Sequence, residues 1–290
     1  MRVKSKAPVM ERVAELAMKL GRRHLADYGA ARSRHDFTQR QLMTCLILRA
    51  YLKTTYRGVL EFLAVSPTLR AVLGLQDKLP HYTTLQKFSA RSKVLEIADA
   101  MIRTIGRAAG LPHFAKGAAA MDATGLETTT ASAHFQSRRG GVRRKWVKVS
   151  AIVLCGSLLP LGVVLDWGPN NDKCQAKALM AKASRATLPA KLYADAGYDA
   201  EWIHDQCRLQ WGVESIIKPA REAADGTRRG IWRSGMSEQY LQRKGYGRRW
   251  AVESFFSALK RTMGSMLNAR KPQQLLAEAA FKVLAYTLRR

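Results

Sequence analysis

Metal–sulfur and disulfide frameworks are the first things this sequence lacks. Its four cysteines, Cys45, Cys155, Cys174 and Cys207, form no CxxC pair, and none has a histidine at ligand spacing. The six histidines are equally dispersed. A zinc-organised fold is excluded on that spacing, and reduced thiols in a cytoplasmic protein are expected. Long apolar runs are missing too. The N-terminus has no apolar stretch of the signal-peptide kind. The longest apolar run, Val149 to Leu165, is broken by Gly156-Ser157 and Pro160, which fits a β-hairpin better than a membrane span. Negative charge is also scarce: 22 Asp and Glu stand against 49 Lys and Arg, a formal net charge of +27.

That imbalance points to a polyanionic partner, because Lys and Arg displace the counterions condensed on phosphate. An anionic membrane is disfavoured, since no long basic amphipathic helix with a strongly apolar opposite face is visible. At 290 residues the chain can hold one or two domains with ample core.

Residues 1–35 form a basic, weakly patterned N-terminal segment. From Asp36 the signals are helical. Thr38-Gln39-Arg40-Gln41 is a capping box, and an apolar-rich helix is predicted to about Leu52. Ser66-Pro67 starts another helix, which Gly74 stops. Thr83 to Gln86 repeats the capping box, predicting a long helix to Gly110 and Pro112. Residues 36–112 are thus expected to be a small all-helical domain. Beyond a short linker the pattern changes. Ala118 to Thr130, Val147 to Cys155 and Leu158 to Asp166 read as a three-strand meander. A helix follows over Lys173 to Arg185, then a strand over Lys191 to Ala194, a helix over Ala200 to Leu209 and a strand over Val213 to Lys218. Helical sequence returns from about Ser237 to Met266 and from Pro272 to the end. This is the element order of an α/β, RNase H-like mixed five-stranded sheet flanked by helices, over residues 118–290.

Three acids fall where such a sheet would bring carboxylates together. Asp122 lies inside an apolar strand, where an unpaired carboxylate is costly. Asp195 follows the strand residues Leu192 to Ala194. Glu253 lies in a helical segment in which, at 100° per residue, Tyr246, Arg249 and Lys260 all fall within about 40° of it. Val252, Phe256, Leu259 and Met263 make an adjoining apolar stripe. The carboxylate is thereby held at the edge of a core. Two divalent ions bound by such acids can cleave a phosphodiester, and Mg²⁺ needs few protein ligands because it keeps several waters. Taken alone, Arg249 and Glu253 would be an ordinary i,i+4 ion pair. Asp199, just before Ala200-Glu201-Trp202, is expected to cap that helix and to leave the chemistry to Asp195.

The spacing Tyr246, Arg249, Glu253, Lys260 resembles in full the Tyr-Arg-Glu-Lys signature of the bacterial insertion-sequence DDE transposases. Asp122-Ala123-Thr124 is similar to that family's first acid, and Ala194-Asp195-Ala196-Gly197-Tyr198-Asp199 to its second. Leu79 to Phe88 resembles an element of the family's helical N-terminal domain. The position after Asp195, often basic in the family, is Ala196 here. The resemblance covers the chain from about residue 36 onward. It implies Asp122, Asp195 and Glu253 as catalytic residues and ligands of two Mg²⁺ or Mn²⁺ ions, with cleavage at terminal inverted repeats and attack of a 3′-hydroxyl on target DNA. It also implies double-stranded DNA as partner and a homo-oligomer on DNA in a nucleoid-associated, cytoplasmic protein. DNA contacts are expected from Tyr246, Arg249 and Lys260. They are expected too from loop clusters: Arg138, Arg139, Arg143, Arg144, Lys145 and Lys148; Arg221, Arg228, Arg229 and Arg233; and Arg243, Lys244 and Arg248. The helical domain would read the ends through Thr84 to Lys93, as a recognition helix does, or serve only to dimerise. Two other readings share the composition: a DNA-binding regulator without catalysis, and a nuclease that cuts without joining.

Overall fold

The structure is a computed structural model, which describes residues 7–32, 34–110, 117–128, 146–220 and 230–290. By packing, the chain divides into two units: Met1–Met101 with Leu259–Arg290, and Ile102–Ala258. The final helix therefore groups with the N-terminal helices.

The first unit is helical. It begins with α1 (Val9–His24), α2 (Gln39–Tyr51), α3 (Tyr56–Ala64), α4 (Pro67–Leu73) and α5 (Tyr82–Ser89). It also holds the start of α6 (Lys93–Gly110) and, after the second unit, the end of α11 (Trp250–Met263) and α12 (Pro272–Arg289). The Thr38 capping box forms: its side chain accepts from the Gln41 N–H, and Gln41 Oε1 accepts from the Thr38 N–H at 2.7 Å. Pro67 opens α4, and Gly74 ends it at φ 66°, a backbone state that glycine adopts without steric cost. Two expectations fail. The segment read as weakly patterned contains the 16-residue α1. The long helix from Thr83 is instead two helices, broken over residues 90–92, and α5 starts at Tyr82 without a side-chain cap.

Helix α2 is buried from Leu42 to Ala50 and α12 from Leu275 to Leu288 almost throughout, so both are central helices and not surface ones. Buried charges on this pair are satisfied. Glu278 sits 3.7 Å from Arg49 and accepts from the N–H groups of Asn268 and Ala269. Lys282 Nζ donates to the carbonyls of Met263 and Gly264 at the end of α11, where a cation complements the helix terminus.

The second unit is built on a five-stranded sheet of order β3-β2-β1-β4-β5. The strands are β1 (Ala118–Leu126), β2 (Trp146–Leu154), β3 (Pro160–Gly168), β4 (Lys191–Ala194) and β5 (Glu214–Ile217). β1, β2 and β3 pair antiparallel as the expected meander, while β4 joins β1 and β5 in parallel. Helix α7 (Lys173–Ser184) covers one face, burying Ala176, Leu179, Met180 and Ala183 against Met121, Ile152 and Leu161. After β4 come a 3₁₀ turn (Ala196–Tyr198), α8 (Glu201–Asp205) and a wider π turn (Gln206–Gln210). The helical run read from Ser237 is divided. After α9 (Ile231–Ser234) come α10 (Glu238–Arg243), a 3₁₀ turn over Tyr246–Arg249 that packs on β1 and β4, and then α11.

Candidate active site

Strand pairing brings two of the acids together. β1 and β4 run parallel with Met121 opposite Ala194, so the next residues, Asp122 and Asp195, stand side by side where β4 ends. The strand period is two. Ala119, Met121, Leu192 and Ala194 belong to the core under α7. Asp122 and Asp195 share the opposite parity and leave that core.

Each carboxylate is fixed locally. Asp122 Oδ1 accepts from the Ala123 N–H at 2.7 Å. Asp195 Oδ1 accepts from the Gly197 N–H at 2.9 Å, closing the turn after β4. Arg249 Nη1 lies 3.4 Å from Asp122 Oδ2, and Arg249 Nη2 donates to Glu253 Oε1. The i,i+4 ion pair thus exists, but Arg249 also reaches across to β1 and links the helix acid to the strand acid. Tyr246 Oη donates to the Ala194 carbonyl at 3.1 Å, immediately before Asp195. Burial holds the Tyr246 phenol up at about 12, so it remains a donor. Val252, Phe256, Leu259 and Met263 are buried as the periodicity requires.

Asp122 is a strained acid. Burial, first, and the nearby charges of Asp195 and Asp172 push its carboxyl up to about 6 against the lowering effects of the Ala123 N–H and Arg249. Asp172 was not singled out in the sequence. It lies just before α7, and its Oδ1 accepts from Lys148 Nζ at 2.5 Å. Only its place before a helical run marks it in the sequence.

The family model described as "Transposase DDE domain" matches residues 113–288, more than half of the chain. The chain belongs to the DDE transposase family. No curated protein matched it. The match takes in Asp122, Asp195 and Glu253 together, and the mixed sheet with its flanking helices agrees with such a domain.

DDE domains work with divalent metal ions. Among the described residues of this transposase, no three His, Cys, Asp or Glu side chains converge on one point. Glu253 is turned to Arg249, whose guanidinium lies between it and Asp122. The chemistry of the donor set nevertheless fits a hard cation. Asp122 and Asp195 are adjacent carboxylates whose mutual repulsion a cation would relieve, and the guanidinium stands in for positive charge beside Glu253.

The expected DNA contacts divide. Arg138, Arg139, Arg143, Arg144, Lys145, Arg221, Arg228 and Arg229 lie outside the described residues. Lys148 is not a surface cation: it is 5% exposed and donates to Asp172 and to the Asn170 carbonyl at 2.7 Å. Arg233 is engaged by Asp199 at 2.7 Å, and Lys244 by Glu214 at 2.6 Å. Arg243 and Arg248 are exposed, and Lys260 is half-buried on α11. Asp199 does not cap α8. Its carboxylate accepts from Arg233 and from the Ala220 N–H at 2.9 Å. Among the described residues no helix is long and apolar enough to cross a membrane.

Proposed function

We propose that this chain is the transposase of a bacterial insertion sequence of the Tyr-Arg-Glu-Lys subgroup, with an RNase H-like catalytic domain. It binds terminal inverted repeats as a homo-oligomer, cuts the strands at the element ends and joins the 3′-hydroxyls to target DNA. The observation that carries this reading is the juxtaposition of Asp122 and Asp195 at the end of β4, with Arg249 joining Asp122 to Glu253. The strand order and the four-residue spacing of Tyr246, Arg249, Glu253 and Lys260 support it independently.

Asp122, Asp195 and Glu253 would hold two Mg²⁺ or Mn²⁺ ions. When bound, these supply an activated oxygen nucleophile and charge for the leaving oxygen. The sheet fixes Asp122 and Asp195, so little reorganisation is needed to use them. Arg249 balances the charge of two acids and offers a planar, bidentate donor set suited to phosphate. Lys260 continues the same helix face as a second cation. Tyr246 secures the end of β4 through the Ala194 carbonyl. The exposed Arg243 and Arg248, with the basic stretch 138–145 and Arg228-Arg229, position the duplex without reading sequence. Helix α5 and the start of α6 are the segment for end recognition.

The test is strand cleavage of DNA carrying the element's ends, in Mg²⁺. The wild-type chain nicks it, while Asp122→Asn, Asp195→Asn and Glu253→Gln bind DNA but do not cut. A wild-type chain that binds without nicking would make it a regulator, and nicking without strand transfer would make it a nuclease.

A further inference from the structure

Arg91 lies in the short break between α5 and α6, and three other segments hold it. Its Nη1 donates to Gln39 Oε1 at 3.2 Å, and Gln39 Nε2 in turn donates to the Ala26 carbonyl at 3.0 Å. The guanidinium carbon stands 5.2 Å from the centre of the Phe88 ring. A Cβ on Gly29 would come within 3.3 Å of Nη1, so the loop over residues 25–30 packs against the same group. All of these partners are neutral, and among the described residues Arg91 has no carboxylate partner. The side chain is nevertheless exposed. Ordering a long cation at the surface costs rotamer freedom. Here neutral groups have already fixed the planar fork, which suits it to a phosphate.

A second observation points the same way. Arg91 lines two cavities in the helical unit, of about 700 and about 270 Å³. Tyr28, Gly29 and Gln39 line both, while the larger adds His24 and Lys93 and the smaller adds Arg34. The acids along them are Glu96 and Asp36, and Asp36 has Lys78 at 3.5 Å. Basic side chains thus dominate a hollow whose central cation is held in place.

Resting on the DNA partner of the function proposed above, we propose that this hollow is a seat for the sugar–phosphate backbone of duplex DNA, with Arg91 and Lys93 each meeting a phosphate. It anchors the duplex on the helical unit and does not read its sequence, because backbone contacts fix register and leave base reading to other side chains.

The experiment is binding of the full chain to two duplexes of equal length, one carrying the element's ends and one unrelated, across a range of salt. A chelator keeps the strands uncut. Each phosphate contact contributes close to one to the slope of log affinity against log salt. Arg91→Ala and Lys93→Ala should each make that slope shallower by about one, and the double variant by about two. The loss should be the same on both duplexes. Arg91→Lys, which keeps the charge without the fork, should keep the wild-type slope. Wild-type slopes in both alanine variants would overturn the proposal. So would a loss confined to the end-bearing duplex, which would make the two residues readers of bases. Lys93 is exposed at the start of α6, so Lys93→Ala decides alone if Arg91→Ala does not fold. Steep salt dependence in wild type that the alanine variants share would refute only the seat. A wild-type chain that binds neither duplex would refute the DNA-cutting function as well.

Discussion

Two groups of acids sit a few residues apart in this chain and are treated in opposite ways. Around α8, every carboxylate has protein donors. Asp199 takes Arg233 and the Ala220 N–H, Glu201 accepts from the N–H groups of Trp232 and Arg233, and Asp205 from the Trp232 indole. Burial alone would raise the Asp199 carboxyl, yet the Arg233 and Ala220 hydrogen bonds outweigh it and hold it below the usual range. At the end of β4, burial first, and then the charges of Asp195 and Asp172, instead hold the Asp122 carboxyl up at about 6. The first group clips α9 onto α8 and is finished by the protein. The second keeps its acids close together, and the Arg249 and Lys148 contacts do not offset the burial and repulsion at Asp122. Perturbed acids of the second kind mark functional sites, and here the perturbed acid falls within the family's domain.

The largest break of the comparison is on the unbalanced side. Asp122→Asn and Asp195→Asn should reduce Mg²⁺-dependent nicking to background while leaving the thermal midpoint equal to or above that of wild type, because they remove repulsion. A fall in midpoint of more than a few degrees would mean that the acids hold the fold. On the balanced side the sign reverses. Asp199→Asn strands Arg233, partly buried, and should cost about 3 kcal/mol of stability, as breaking a buried ion pair does. Urea unfolding measures it. A loss below about 1 kcal/mol would reclassify the pair as a surface contact.

The pH dependence sharpens the same contrast. For Asp122 the folded carboxyl, at about 6, lies above its ordinary 3.8. Its contribution is therefore fully present below pH ~4 and is lost as pH rises to about 6, roughly 3 kcal/mol over that window in metal-free protein. For Asp199 the folded value is depressed, so its contribution is present above the ordinary carboxylate range and lost as pH falls through the folded value. Urea titrations in a chelator should show Asp122→Asn flattening the window from pH 4 to 6, and Asp199→Asn flattening only the more acidic limb. Identical profiles for the two variants would erase the distinction.

Much of this was legible beforehand. The order of strands followed from turn punctuation and period. The three acids stood out because a strand, a strand end and a helix edge are unusual places for them. What was hidden has physical causes. The buried face of α1 is Val13, Ala14, Ala17 and Gly21, small side chains that stand out little among Arg12, Lys19, Arg22 and Arg23. The role of Asp199 depended on Arg233, far along the chain, and local helix-start logic had no means of weighing it against a cap. Lys148 read as part of a basic run because its burial is set by Asp172 and Asn170, which only the β2–β3 pairing brings near. Asp172 itself becomes a neighbour of Asp195 only through the packing of α7 beside the Gly197 turn.

The smallest expected effect lies between the two groups, at Tyr246. Its hydroxyl is not a free DNA contact in this structure, because it donates to the Ala194 carbonyl, the last residue of β4. Tyr246→Phe removes that one bond and keeps the ring. It should cost about 1 kcal/mol of stability, the usual net worth of a neutral hydrogen bond. It should also slow cleavage several-fold by loosening the end of β4, where Asp195 begins. A phosphate contact would show itself differently. Each lost contact lowers the steepness with which DNA affinity falls with salt, whereas a lost tether to Ala194 leaves that slope unchanged. Binding measured from low to moderate salt should therefore give parallel lines for wild type and Tyr246→Phe, alongside a reduced cleavage rate. A flatter line for the variant, with stability intact, would move Tyr246 from the tether to the DNA interface.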